Sequence, residues 1–162
     1  MTSLDFLAKL RREGKLELVS PSDDICQSYL EKAGNCLASA KILLQNKLYD
    51  NSTTMSYYAM YNSLTALLFK TGIKCENHSG SILLLKFLFK NTELFKIISE
   101  AKEERIDKQY YVQSKQLAAL TENSTRELFI NAESFLIHIK SIINNLTNNG
   151  IEILRNMLLK TN

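Results

Sequence analysis

Five glycines and one proline are all that punctuate these 162 residues, where average globular chains carry about 7% and 5%. Sandwiches and barrels turn every few residues and rely on both types to do so. A chain this poor in breakers suits long, uninterrupted helices. Hydrophobic residues make up 45% of it, enough to bury a core and too many for a disordered tract. The length suits one domain. Neither G-x-G-x-x-G nor G-x-x-x-x-G-K occurs, so the phosphate loops of dinucleotide and P-loop folds are excluded and no cofactor is expected.

The apolar spacing agrees with this. Residues 3–12 predict a short helix with Leu4, Leu7 and Leu10 on one side and Gly14 at its end. Ser20-Pro21-Ser22-Asp23 reads as a helix start, with Ser20 capping and Pro21 at the first helical position. From there Ile25, Tyr29, Ala33, Cys36, Ala40 and Leu43 recur at steps of three and four, one stripe of an amphipathic helix. Asn51 or Ser52 is expected to cap the next helix, which runs to Lys70 with Gly72 as the left-handed residue beyond it. That helix is apolar on most sides, which predicts a central position. A loop over 72–77 precedes a short helix over 79–89, and Thr92-Glu93 opens another with Leu94, Ile97, Ile98 and Ala101 inward. Leu128, Ala132, Phe135, Ile139, Ile142 and Leu146 form the seam of the last long helix. Asn148-Asn149-Gly150 is expected to stop it ahead of a short amphipathic tail helix. No sustained period-two alternation is present. The expectation is an all-α, up-and-down bundle of four to five main helices with short terminal helices, as one domain over 1–162.

Twenty basic and seventeen acidic side chains leave a formal charge of +3, too mild to mark a dedicated nucleic-acid binder. No run reaches the roughly 18 apolar residues of a membrane span, and the charged cluster at Arg11, Arg12, Glu13 and Lys15 is unlike a secretion signal. A cytoplasmic location without membrane contact is the default expectation. Three cysteines without a C-x-x-C pair argue against structural disulfides. Cys75 and His78 form half of a zinc-like spacing, but zinc needs three or four ligands, and His138 sits mid-helix between Ile137 and Ile139. No metal site is expected.

Tyrosines stand out. Tyr57, Tyr58 and Tyr61 share the central helix, and Tyr110 and Tyr111 follow Arg105. One reading is large core side chains with their hydroxyls at the rim. The other is a polar aromatic cleft, in which an arginine holds phosphate and tyrosines supply stacking faces and hydroxyls. Arg105, Tyr58, Asn62 and Tyr111 are the candidate nucleotide- or RNA-binding residues.

The string Ser56-Tyr57-Tyr58-Ala59-Met60-Tyr61-Asn62-Ser63, followed by Ala66-Leu67-Leu68, Gly72-Ile73 and Glu76-Asn77-His78-Ser79-Gly80, resembles the HEPN family and, more closely, a prokaryotic branch of it. The resemblance covers about residues 20–146. It implies a four- or five-helix bundle that pairs as a homodimer and is bound by a minimal nucleotidyltransferase in a toxin–antitoxin pair. Some members are metal-independent ribonucleases with an R-x4-6-H motif. The motif's arginine falls on Arg105, but its histidine falls at Tyr110. Metal-free RNA cleavage needs groups that exchange protons near neutral pH, and a phenol of pKa about 10 does so poorly. Arg105 and Tyr110 are therefore catalytic candidates with His78 as the other plausible base, and the resemblance makes Tyr110 or Tyr111 a candidate for nucleotidylation. Three readings follow: a partner-binding bundle with a nucleotide or RNA cleft, a metal-independent ribonuclease toxin, or a structural helical scaffold.

Overall fold

The computed structural model describes residues 2–110 and 118–160, and the side chains of 2–106 and 121–160. Among these residues the order is α1 (Ser3–Arg12), β1 (Leu16–Leu18), α2 (Asp23–Gln45), α3 (Tyr49–Lys70), β2 (Ile73–Cys75), α4 (His78–Phe87), α5 (Thr92–Tyr110), α6 (Ala118–Asn145) and α7 (Asn148–Leu159). The fold is all-α, as expected, with one small addition. β1 and β2 form an antiparallel pair, Leu16 opposite Cys75 and Leu18 opposite Ile73. Three-residue strands are too short to show alternation, so this pairing left no trace in the periodicity.

Helix α3 is central, packed against α2, α5 and α6. Its buried side chains occupy most of its circumference, as its nearly unbroken apolar sequence requires. Small polar residues let neighbours come close, and most of their hydroxyls find partners: Ser52 donates to the Ala40 carbonyl at 2.8 Å and Thr53 meets Thr125 at 3.3 Å, whereas the buried Ser56 Oγ has none among the described residues. Phe135, Ile139, Leu64, Leu67, Leu84 and Ile98 are among the buried residues of the main core.

The helix ends correct the expectations in detail. Ser22, not Ser20, caps α2 by accepting from the Ile25 amide, and Pro21 lies ahead of the cap. Cys26 is buried where Ile25 was expected, and Ile25 is exposed. Leu48 precedes α3 without any side-chain cap, because the α2–α3 link is a tight Schellman-type turn. In it Lys47 takes φ +59°, and the Leu48 and Lys47 amides return to the carbonyls of Leu43 and Leu44. Such a turn normally uses glycine. Helix α4 begins at His78, capped by Asn77. Asn148-Asn149-Gly150 opens α7 behind the cap Thr147 rather than ending α6. Gly14 and Gly72 lie just past their helices at φ +68° and +69°, as expected.

Among the described residues, long-range connections tie the terminal elements to the bundle. The β1–β2 pair fixes the segment before α2 to the link between α3 and α4. From α7, Arg155 donates to the carbonyls of Val19, Thr71 and Gly72 at 2.8, 3.3 and 2.8 Å.

Candidate functional site

On α5, Leu94, Ile98 and Ala101 are buried at steps of four and three. The next step of four on that stripe is Arg105, so helix geometry directs a guanidinium toward the bundle where an apolar side chain is expected. There its Nη1 donates to the Tyr58 hydroxyl at 3.2 Å. Its guanidinium carbon lies 4.9 Å from the centroid of the Tyr57 ring and 5.6 Å from that of Tyr58, the geometry of cation–π contacts. Its Nε is buried without a hydrogen-bond partner, and Arg105 forms no ion pair with a carboxylate among the described residues. A surface ion pair with Glu103, the arrangement a plain scaffold favours, is not present among them.

Tyr57 connects this arginine to a histidine. Its side chain is fully buried, and its hydroxyl lies 2.8 Å from His78 Nδ1. The Tyr61 ring stacks on the imidazole, with centroids 3.8 Å apart. His78 reaches this place because the β1–β2 pair and the Asn77 cap fix the start of α4. Burial and then the positive charges of Arg105 and Lys102 push the His78 pKa down, which favours neutral imidazole. Burial pushes the Tyr57 phenol well up, only partly offset by Arg105, so it stays protonated. His78 is the acceptor within reach of the buried Tyr57 hydroxyl among the described residues, so the O–H donates to Nδ1. The proton of the neutral ring is then on Nε2, making it a hydrogen-bond donor.

Beside this cluster runs a cleft of about 630 Å³. Its floor is one stripe of α3 that contains Tyr58, Tyr61, Asn62, Thr65 and Phe69. One wall comes from α2, with Tyr29, Lys32 and Cys36, and the other from β2 and the start of α4, ending at His78. Asn62 faces the cleft, but its Nδ2 is engaged with the Tyr58 carbonyl at 2.8 Å and Cys36 Sγ at 3.6 Å. Lys74 is paired with Glu76 at 2.6 Å. Among the described residues, no three His, Cys, Asp or Glu side chains gather to hold a metal ion, so Cys75 and His78 remain a half-site. No described helix is long and apolar enough to cross a membrane.

Of the sequence candidates, Tyr58, Asn62 and His78 line this cleft, while Arg105 adjoins it through its bond to the Tyr58 hydroxyl without lining it. Tyr110 closes α5, but its side chain lies outside the described residues, as does all of Tyr111. Sequence reasoning raised Tyr57 and Tyr61 with Tyr58 as a polar aromatic cleft but carried only Tyr58 forward as a binding candidate. It also missed Tyr29 and Lys32, whose spacing of three on α2 was the available signal.

Three comparisons bear on this arrangement. A family model described as the HEPN domain matches residues 26–143. The putative toxin MJ0605 of Methanocaldococcus jannaschii is 30% identical over 122 residues, covering 72% of this chain and 87% of that protein. A UPF0332 protein of Thermotoga maritima is 27% identical over 133 residues, covering 79% of this chain and 98% of that protein.

Proposed function

The chain belongs to the HEPN domain family, and on that premise we propose that it is a toxin-like helical bundle that pairs with a second copy, binds a minimal nucleotidyltransferase, and offers a cleft for the phosphate of a nucleotide or RNA. One observation carries the cleft: a half-buried arginine on the core stripe of α5, stacked over two tyrosines and lacking a carboxylate partner among the described residues. Taking a guanidinium out of water is costly without an anion beside it, and phosphate matches its forked donors. The Nε2–H of neutral His78 adds a donor suited to the same anion. The description of the Methanocaldococcus relative as a toxin supports the toxin–antitoxin reading. For the pairing, Ile130 and Ile137 lie a heptad apart on α6 and are 55% and 66% exposed, an apolar pair suited to a second copy.

Binding is put ahead of the ribonuclease reading because the histidine of the R-x4-6-H motif is replaced at Tyr110, and a phenol exchanges protons poorly near neutral pH. The test is a single-stranded RNA incubated with the protein in EDTA, reading retention and cleavage together. Wild type is expected to retain RNA uncut, and Arg105→Ala to weaken retention about tenfold or more. Unchanged retention in Arg105→Ala overturns the site. Cleavage in EDTA that disappears in both Arg105→Ala and His78→Ala makes the protein a ribonuclease instead.

A further inference from the structure

The cleft floor continues well beyond Tyr58, the cleft residue whose hydroxyl Arg105 contacts from outside the lining. From Tyr58 to Phe69 the α3 stripe runs about 16 Å at the helical rise. At its far end Phe69 stacks nearly parallel on Tyr29 of α2, with centroids 5.6 Å apart and planes 9° apart. Lys32, one turn along α2, holds its Nζ 5.7 Å from the Tyr29 centroid. Lys32 is exposed and has no carboxylate partner among the described residues. Both residues line the same cleft as His78 and Tyr58. The two ends therefore differ in chemistry. One offers donors for a phosphate, and the other the half-buried Tyr29 ring, backed on one face by Phe69, beside a cation with no ion pair among the described residues.

A nucleobase stacks on a tyrosine face whatever its sequence, and a nearby lysine neutralises the adjoining phosphate. A single nucleotide held at Arg105 is too short to reach Tyr29. We propose that Tyr29, with Lys32, forms a base-stacking subsite, so that the ligand is single-stranded RNA of more than one nucleotide, lying along α3 with a phosphate at Arg105 and a base on Tyr29. This rests on the phosphate reading of Arg105 and extends it to the ligand's length and chemical class.

The test measures binding of an end-labelled single-stranded RNA and, separately, of adenosine monophosphate, to wild type, Tyr29→Phe, Tyr29→Leu, Lys32→Ala and Arg105→Ala. Tyr29→Leu is expected to weaken RNA about tenfold or more, the size of one lost base stack, and to leave the mononucleotide unchanged. Tyr29→Phe keeps the ring and is expected to bind like wild type. Exposed Lys32 is not needed for packing, so Lys32→Ala stands as a test even if Tyr29→Leu fails to fold. It is expected to lower the slope of log affinity against log salt by about 0.7 for single-stranded ligand. RNA affinity unchanged in Tyr29→Leu, a salt slope unchanged in Lys32→Ala, or equal losses for RNA and mononucleotide in Tyr29→Leu each overturn the subsite, while a loss confined to Arg105→Ala leaves the phosphate reading standing. Wild type that binds neither probe overturns both.

Discussion

Protonating His78 forces its Nδ1 to become a donor, and the Tyr57 hydroxyl 2.8 Å away must turn its own proton elsewhere. Burial and the charges of Arg105 and Lys102 oppose that proton as well. The folded pKa is therefore below the unfolded value of about 6.5. The unfolded chain takes up the proton first, so the stability contributed by neutral His78 is full above about pH 6.5 and is lost as pH falls through the folded pKa. Chemical denaturation is expected to show a lower midpoint at about pH 5.5 than at about pH 7.5, and a smaller drop in Arg105→Ala. With only two histidines in the chain, imidazole NMR titration isolates the effect: Arg105→Ala should move the His78 midpoint upward. An unmoved midpoint would mean that the arginine's charge does not reach the ring. At this scale Arg105 was legible through the resemblance, which places the motif's arginine there; that the apolar stripe of α5 runs on to it emerged only with the structure. The bond between Tyr57 and His78 was not legible, since it joins the inner face of one helix to the first residue of another and depends on how a loop of unpredicted strand structure turns.

Helix ends are where local chemistry is most exposed to test. Lys47 occupies a left-handed position at φ +59°, a conformation that costs a residue with Cβ about 1–2 kcal/mol. Lys47→Gly is expected to stabilise the protein by about 0.5–1 kcal/mol in equilibrium denaturation, the relief being partly offset by greater freedom in the unfolded chain. Gly72→Ala should do the reverse, by about 2 kcal/mol or more. An added Cβ there meets the Arg155 guanidinium, the Val19 carbonyl at 2.5 Å and Pro21 Cδ at 2.9 Å, at φ +69°. The long helices were readable because their burial repeats every three or four residues. Their caps slipped by a few positions because Ser20 and Ser22 have the same chemistry, and only the Ile25 amide distinguishes them. Lys47 shows the limit of counting glycines: a left-handed turn can be imposed by the packing of the two helices it joins.

For the whole molecule, scarcity of breakers, a nearly all-apolar central segment and the seam on α6 made the bundle legible as a class. The cleft was legible only as a set of residue types, since its floor comes from α3 and its walls from α2, β2 and the start of α4, and their mutual approach is written in no single stretch. Pairing belongs to this scale. Light scattering is expected to give a two-copy mass, and Ile137→Glu, at an exposed position, to give a monomer that stays folded. A monomeric wild type at high concentration would remove α6 as the meeting face. The β1–β2 pair and Arg155 have a practical corollary for anyone who shortens this protein to its recognisable stretch, 26–143. Such a trimmed version discards Leu16–Leu18 and Arg155 together, leaving the hinge that carries His78 without its outside bracing. Its long helices would still register in circular dichroism, while the His78 midpoint is expected to move upward as the ring loosens from its neighbours. The stretch that holds His78 in place is therefore larger than the segment by which its kinship is detected.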